Sequence, residues 1–328
     1  MNDLGMCGGA EGASGGGGAA TGVPEPPFAR RLRAAPCLLL DGGLGTMLLA
    51  RGLPSGTAPE RWVLERPDEV RAVHRAYVEA GSEAVHAATF GANPVRLAAA
   101  GLEGRCEEVN ARAVELARAA EPRWVIADVG PTGEYLPPVG TGDPERWEAA
   151  FLRQARALRE AGPDAAHLET FSDLREALIA LRAVRSVCPG LPVLASLTFD
   201  RKRRGFHTIF GDAVRAALAA LAAEGALVVG ANCTLASPDM RDLAAEARRE
   251  PLALVLQPNA GQPQAGPGGP RYDQPPEAFA ADMEALLTDQ AADGERAVGR
   301  IVALGGCCGT DPRFIAALRR RLGPAGVA

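Results

Sequence analysis

Eight short apolar runs recur along the chain, and helical periodicity fills the intervals between them. The runs occupy residues 37–40, 83–90, 124–128, 165–169, 192–199, 227–232, 252–257 and 301–304. Pro67 opens one helix, with Val70, Val73, Tyr77 and Val78 on one face and Gly81 at its end. Further helices are read over 107–120, 144–161, 212–224 and 276–289, and after Ser237-Pro238 and Asp311-Pro312. Asp173 and Glu176 have the spacing of a capping box for another. Uniformly apolar strands alternating with amphipathic helices predict a parallel sheet covered by helices, and eight such units predict an α/β fold, the (β/α)8 TIM barrel. A doubly wound open sheet is the competing arrangement. It would want a Gly-x-Gly-x-x-Gly turn after the first strand, and none is there.

Composition narrows the functional classes. The chain has 328 residues, 47% of them hydrophobic, enough for a sizeable core. A net charge of −5 creates no field suited to nucleic acid or a membrane surface. No apolar run approaches the roughly 20 residues that span a bilayer. Seven scattered cysteines in a long chain do not resemble a secreted disulfide framework, and a reducing cytoplasm is expected. Residues 1–27 are rich in Gly and Ala, include Gly15-Gly16-Gly17-Gly18 and are expected to be a disordered tail without the features of a signal peptide. Residues 28–328 form the expected barrel domain, entered through a short lead-in helix over 28–36.

In such a barrel, chemistry gathers where the strands end. Those ends carry Asp41, Thr89 with Phe90, Asp128, Glu169 with Thr170, Ser196 with Thr198, Asn232 with Cys233, Asn259, and Cys307 with Cys308. Cys307 and Cys308 are flanked by glycines, and adjacent cysteines rarely form a relaxed disulfide. Together with Cys233 they would give Zn²⁺ three thiolates and one open position, the catalytic rather than the closed structural pattern. Three small buried hydrophobes are the alternative. A tris-thiolate zinc centre carries net charge −1. It favours holding another thiol as a nucleophilic thiolate over activating water. Alkyl transfer to a substrate thiol follows. Asp41 and Glu169 are placed to hold the ammonium of an amino-acid substrate, and the turn Asp41-Gly42-Gly43-Leu44-Gly45 offers backbone N–H groups to its carboxylate.

The ordered set Asp41-Gly42-Gly43-Leu44-Gly45-Thr46, Thr89-Phe90-Gly91-Ala92-Asn93, Gly130-Pro131-Thr132-Gly133, Leu168-Glu169-Thr170-Phe171, Gly230-Ala231-Asn232-Cys233, Pro258-Asn259-Ala260-Gly261 and Gly305-Gly306-Cys307-Cys308-Gly309-Thr310 resembles the homocysteine S-methyltransferase family. The resemblance covers about residues 36–322. It implies a zinc-bound barrel with Cys233, Cys307 and Cys308 as ligands. It also implies contact of Asp41 and Glu169 with homocysteine, and Asn259 in the fourth zinc position when substrate is absent. Thr89 and Phe90 are expected to border the substrate.

Two departures concern the methyl donor. Ala87-Ala88 stand where the family often has Thr-Asn, and Gly91 stands where the betaine-using enzyme has an aromatic residue. The chain is read as one barrel, without a folate barrel or an Asp-x-His-x-x-Gly corrinoid motif. The expected donor is therefore a sulfonium or other small onium compound. A separate methylcorrinoid carrier protein is the alternative, and a zinc-thiolate protein that binds without turnover is the rival outside enzymes. His86 and His167 read as packed or hydrogen-bonded within strands, Asn232 as shaping the cysteine turn, and Cys37, Cys106 and Cys188 as packing. The run Arg201-Lys202-Arg203-Arg204 reads as a solvated loop, or as a docking patch for an acidic carrier.

Overall fold

The computed structural model describes residues 24–34, 37–266, 270–293 and 298–323. Most of the tail expected over 1–27 lies outside them. Among the described residues the strands are β1 (Leu38–Leu39), β2 (Ala84–His86), β3 (Trp124–Val129), β4 (Ala165–Phe171), β5 (Val193–Leu197), β6 (Asp200–Lys202), β7 (Gly205–His207), β8 (Val228–Ala236), β9 (Ala253–Asn259) and β10 (Arg300–Leu304). Eight of these pair in parallel in the order β1-β10-β9-β8-β5-β4-β3-β2. The ring closes where Glu83 N donates to Leu39 O at 2.8 Å and Ser82 Oγ donates to Leu40 O at 3.2 Å. This is the TIM barrel, with the helices packed around it.

Alternation along each strand divides the core in two. Leu38, Ala84, Ile126, Ala165, Leu194, Val228 and Val302 meet inside the lower barrel. The helix Pro27–Ala34 plugs that end with Phe28 and Leu32, and Phe28 packs edge-on against Trp124 with ring centroids 5.6 Å apart. Arg31 fixes the plug through hydrogen bonds of 2.8–3.1 Å to the Glu83 carboxylate. Neighbours of opposite parity, such as Leu39, Val85 and Val125, pack outward against Tyr77, Phe151 and Leu181 of the helices. Among the described residues no helix is long and apolar enough to cross a membrane.

Several local readings change. The second strand ends at His86 rather than 90, because the chain then turns and Thr89 N bonds back to Ala87 O at 2.7 Å. Asp173 caps its helix by accepting from Arg175 N, but Glu176 does not complete a capping box. Its Oε1 instead accepts from Thr132 N at 2.7 Å and Thr132 Oγ1 at 2.6 Å, tying helix Leu174–Val187 to the loop after β3. The basic run after β5 is part of the antiparallel hairpin β6–β7, where Arg201 is paired with Asp239 and Asp242 and Lys202 with Asp200. Short helices at Leu44–Ala50, Pro59–Glu65 and Pro94–Ala99 escaped the sequence reading and bring side chains to the rim.

Candidate active site

The three rim cysteines reach one place through two unusual backbone turns. β8 runs on to Ala236 with Cys233 and Thr234 in the left-handed region, at φ 55° and 42°. Thr170 on β4 is left-handed too, at φ 63°. Each such non-glycine residue costs of order 1–3 kcal/mol, so its surroundings must hold it. The register slips at these same heights, between Leu168 and Phe171 and between Asn232 and Ala236. Asn232 braces both turns. Its Oδ1 accepts from Thr170 N at 2.9 Å, and its Nδ2 donates to Thr170 Oγ1 at 2.7 Å and Glu169 Oε1 at 2.9 Å. The same nitrogen lies 3.7 Å from Cys307 Sγ.

The loop after β10 is knitted to its neighbours. Cys307 N donates to Pro258 O at 2.9 Å, Gly306 N to Asp41 O at 2.9 Å, and Gly43 N to Thr310 O at 3.0 Å. A Cβ on Gly43 would stand 2.6 Å from Cys307 O, so only glycine permits this approach. Gly309, at φ 79°, lies against the Tyr272 ring, which a Cβ there would overlap.

In consequence the Sγ atoms of Cys233 and Cys308 are 3.9 Å apart, and all three ligand sulfurs lie within 4.8 Å of one another. Zn–S bonds of about 2.3 Å in tetrahedral geometry put sulfurs about 3.8 Å apart, so this spacing fits the ion. These thiols are partly exposed, whereas Cys37, Cys106 and Cys188 are buried. Hydrogen bonds from Cys307 and Cys308 hold Cys233 far below the usual thiol range, and the interaction with Cys233 pushes the other two up. The cluster thus already favours an anion.

The thiols open on a cavity of about 310 Å³. Glu169, Thr170 and Gln257 share their arc of the wall. Gly42, Gly43, Phe90, Glu60, Arg96 and Asp128 come from the other strands and the short helices, with Ala87 and Ala88 between them. Burial pushes Glu169 up to about 7, against the opposing pull of the His86 charge, and raises Asp128 well above the carboxylate range. Glu60 is 3% exposed, accepts from Gly91 N at 2.6 Å, and is likewise raised by burial. Three carboxyl groups therefore face two basic side chains, His86 and Arg96, across this space.

The remaining rim residues stand behind that wall. Asp41 is 1% exposed and both its oxygens engage His86, Oδ2 with the backbone N–H at 2.9 Å and Oδ1 with Nδ1 at 2.6 Å. Thr89 staples the turn after β2 to β3, its hydroxyl donating to Asp128 O at 2.7 Å and accepting from Asp128 N at 2.9 Å. Asn259 is beside Cys233, and its buried Oδ1 has no partner among the described residues. Sequence reasoning assigned no site role to Glu60, Arg96 or Gln257, and none beyond packing or hydrogen bonding to His86. Period-two parity was the available signal for His86 and Gln257, since both fall in phase with inward residues of their strands.

Comparison with known proteins places this arrangement. The chain is 29% identical over 294 residues to methionine synthase of Mycobacterium tuberculosis, covering 84% of this chain and 24% of that protein. Methionine synthase of Mycobacterium leprae matches at 29% over 266 residues, 76% of this chain and 21% of the relative. The chain thus spans about a quarter of the length of these relatives. The metallated form of the homocysteine methyltransferase MmuM from Escherichia coli superposes with a TM-score of 0.70 at 26% identity, covering 88% of this chain and 98% of that one. Its oxidised form gives 0.72 over 91% and 100%. The family profile described as homocysteine S-methyltransferase matches residues 38–322, and the chain belongs to that family.

Proposed function

We propose that this protein is a zinc-dependent homocysteine S-methyltransferase, moving a methyl group from a sulfonium donor to homocysteine to form methionine. The observation that carries this reading is the convergence of Cys233, Cys307 and Cys308 beside Glu169 on a cavity. Cys233, Cys307 and Cys308 would hold Zn²⁺. The free, buried Oδ1 of Asn259 next to Cys233 suits the remaining position before substrate arrives. Bound there, zinc supplies a site that takes a fourth thiol as its thiolate and keeps it nucleophilic.

The protein's own residues then orient and exclude. Glu169, fixed by Asn232, receives the substrate ammonium, and the turn carrying Gly42 and Gly43 borders its carboxylate. Phe90, Ala87 and Ala88 keep water from the transfer line. In the reaction the donor's S–CH₃ bond breaks, its electron pair stays on the departing sulfur as a neutral thioether, and the new bond forms to homocysteine sulfur. Thiolate and sulfonium charges cancel, so a cavity poor in water favours the step. Thiols that must stay reduced fit a cytoplasmic setting and a place in methionine biosynthesis.

The similarity to methionine synthases supports a second reading, in which a separate corrinoid carrier protein delivers the methyl group. One preparation purified under reducing conditions separates the two. Zinc is quantified in wild type and Cys308→Ala, and each is assayed for methionine from homocysteine and S-methylmethionine. One zinc per chain with turnover, both lost in the variant, is the expected result. Zinc without turnover on any sulfonium would favour the corrinoid donor or a silent binding protein. A folded wild type without zinc would sink the mechanism.

A further inference from the structure

A string of buried polar side chains crosses the barrel beneath the cavity. Asp41 Oδ1 meets His86 Nδ1 at 2.6 Å, His86 Nε2 meets His167 Nδ1 at 3.0 Å, and His167 Nε2 meets Ser196 Oγ at 2.7 Å. All four residues are nearly inaccessible, at 1%, 6%, 0% and 1% exposure. Two proton arrangements satisfy these distances with Asp41 ionised. In one, His86 is neutral and accepts from His167. In the other, His86 is an imidazolium that donates to both Asp41 and His167, and His167 is neutral and donates to Ser196.

The charges around the string decide between them. A carboxylate as buried as Asp41 needs a cation, and His86 is the only basic group bonded to it among the described residues. His74 is also close, but burial holds it down to about 4 and both its ring nitrogens lack partners among the described residues, so it stays neutral. Glu169 Oε2 lies 3.9 Å from His86 Nε2, and Asp128 adds a third carboxyl group nearby. Burial opposes charge on His86, yet these acids, Asp41 foremost, raise it to about 10. His167 is held well below the usual range by burial, with the His86 charge acting in the same direction.

We propose that His86 is a resident imidazolium which occupies Asp41, so that Asp41 is a positioning residue acting through His86 and Glu169 is the carboxylate that meets the substrate ammonium. This rests on reading the cavity as a homocysteine site. Both oxygens of Asp41 are engaged by His86, and Asp41 forms no part of the cavity wall, whereas His86 and Glu169 do. The imidazolium also balances the charge of Asp41, so the amino-acid head meets one negative group rather than two. Asp41 then contributes to binding only through the place and charge it gives His86.

The test has two arms. The chain contains four histidines, so ¹⁵N spectra of the histidine-labelled holoenzyme resolve each ring. One ring protonated on both nitrogens at pH 8, absent in His86→Gln, is expected. A neutral His86 at pH 8 overturns the proposal whether or not substrate binds. Calorimetric homocysteine titration of zinc-loaded wild type, Asp41→Asn, His86→Gln and the double variant forms the second arm. Each single change should weaken binding about tenfold, and the double no more than the worse single. Multiplying effects, near a hundredfold, would show Asp41 contacting substrate directly and overturn it. If a variant loses zinc or melts early, the spectra of wild type still decide. A wild type that shows the imidazolium yet binds no homocysteine would refute the functional reading and not this one.

Discussion

The lower and upper halves of the barrel interior are built by the same strands with the same alternation, and they differ in nearly every other respect. Below, Leu38, Ile126, Leu194 and Val228 close on the Phe28 plug with no titratable group among them. Above, two or more residues further along those strands, the inward positions are His86, Asp128, His167, Glu169, Ser196 and Asn232, with three left-handed residues at the rim. The lower half gains stability from apolar burial, about 1.5–3 kcal/mol for each large side chain. The upper half spends it on buried polar groups and strained turns that aim thiols and carboxylates at one cavity. Helix Pro27–Ala34 and the loop after β10 thus stand at opposite ends of one division of labour.

The comparison can be broken hardest at the thiols. Cys233→Ala should abolish zinc binding and lower turnover at least about a thousandfold, while unfolding temperature shifts little in zinc-free protein, as metal analysis, kinetics and calorimetry would show. Phe28→Ala should do the reverse. It should cost about 3 kcal/mol of stability in denaturant titration and leave kcat within about twofold, because none of the described residues that line the cavity belongs to that helix. A large loss of kcat in that variant would mean that the two halves are not separable.

Asn232→Ala tests the brace between them. Zinc affinity or activity should fall about 10- to 100-fold, as for groups that orient metal ligands, and spectra of a cobalt-substituted protein should show a changed thiolate geometry. The smallest effect is expected at Glu176, outside the cavity. Burial lifts its carboxyl to about 7 against the two Thr132 hydrogen bonds. A raised carboxyl favours the folded state while both states are protonated, below about pH 4.5. That advantage declines as pH rises to about 7, because the unfolded chain gives up its proton first. Glu176→Gln should therefore remove a stability change on the order of 2 kcal/mol between pH 4.5 and 7, measured as the difference from wild type in urea titrations.

The barrel was legible because its eight strands are mostly apolar runs and most of the long helices between them open on a cap or a proline. Eight repetitions of that pattern leave few architectures. The rim was legible for a related reason. Strand ends are marked by glycines, and side chains with no packing use there, such as Cys307 and Cys308, stand out. What failed was local and depended on partners far away in sequence. Glu176 has the spacing of a capping residue, yet Thr132, 44 positions away, takes its carboxylate. Asp173 through Glu176 could not show that choice, because both partners suit the same side chain.

By itself, then, the sequence determined the eight barrel strands, though not the β6–β7 hairpin, and marked the rim cysteines as a group. These follow from periodicity and residue type, which are local properties. Only the tertiary structure decided which polar groups share a hydrogen bond. Asp41 and His86 are 45 residues apart, and the closure of the barrel between β1 and β2 brings them together. Asn232 reaches Glu169 and Thr170 across β5, the strand that the sheet order places between β4 and β8. A buried charge takes its meaning from its nearest partners, and ring closure and register choose them.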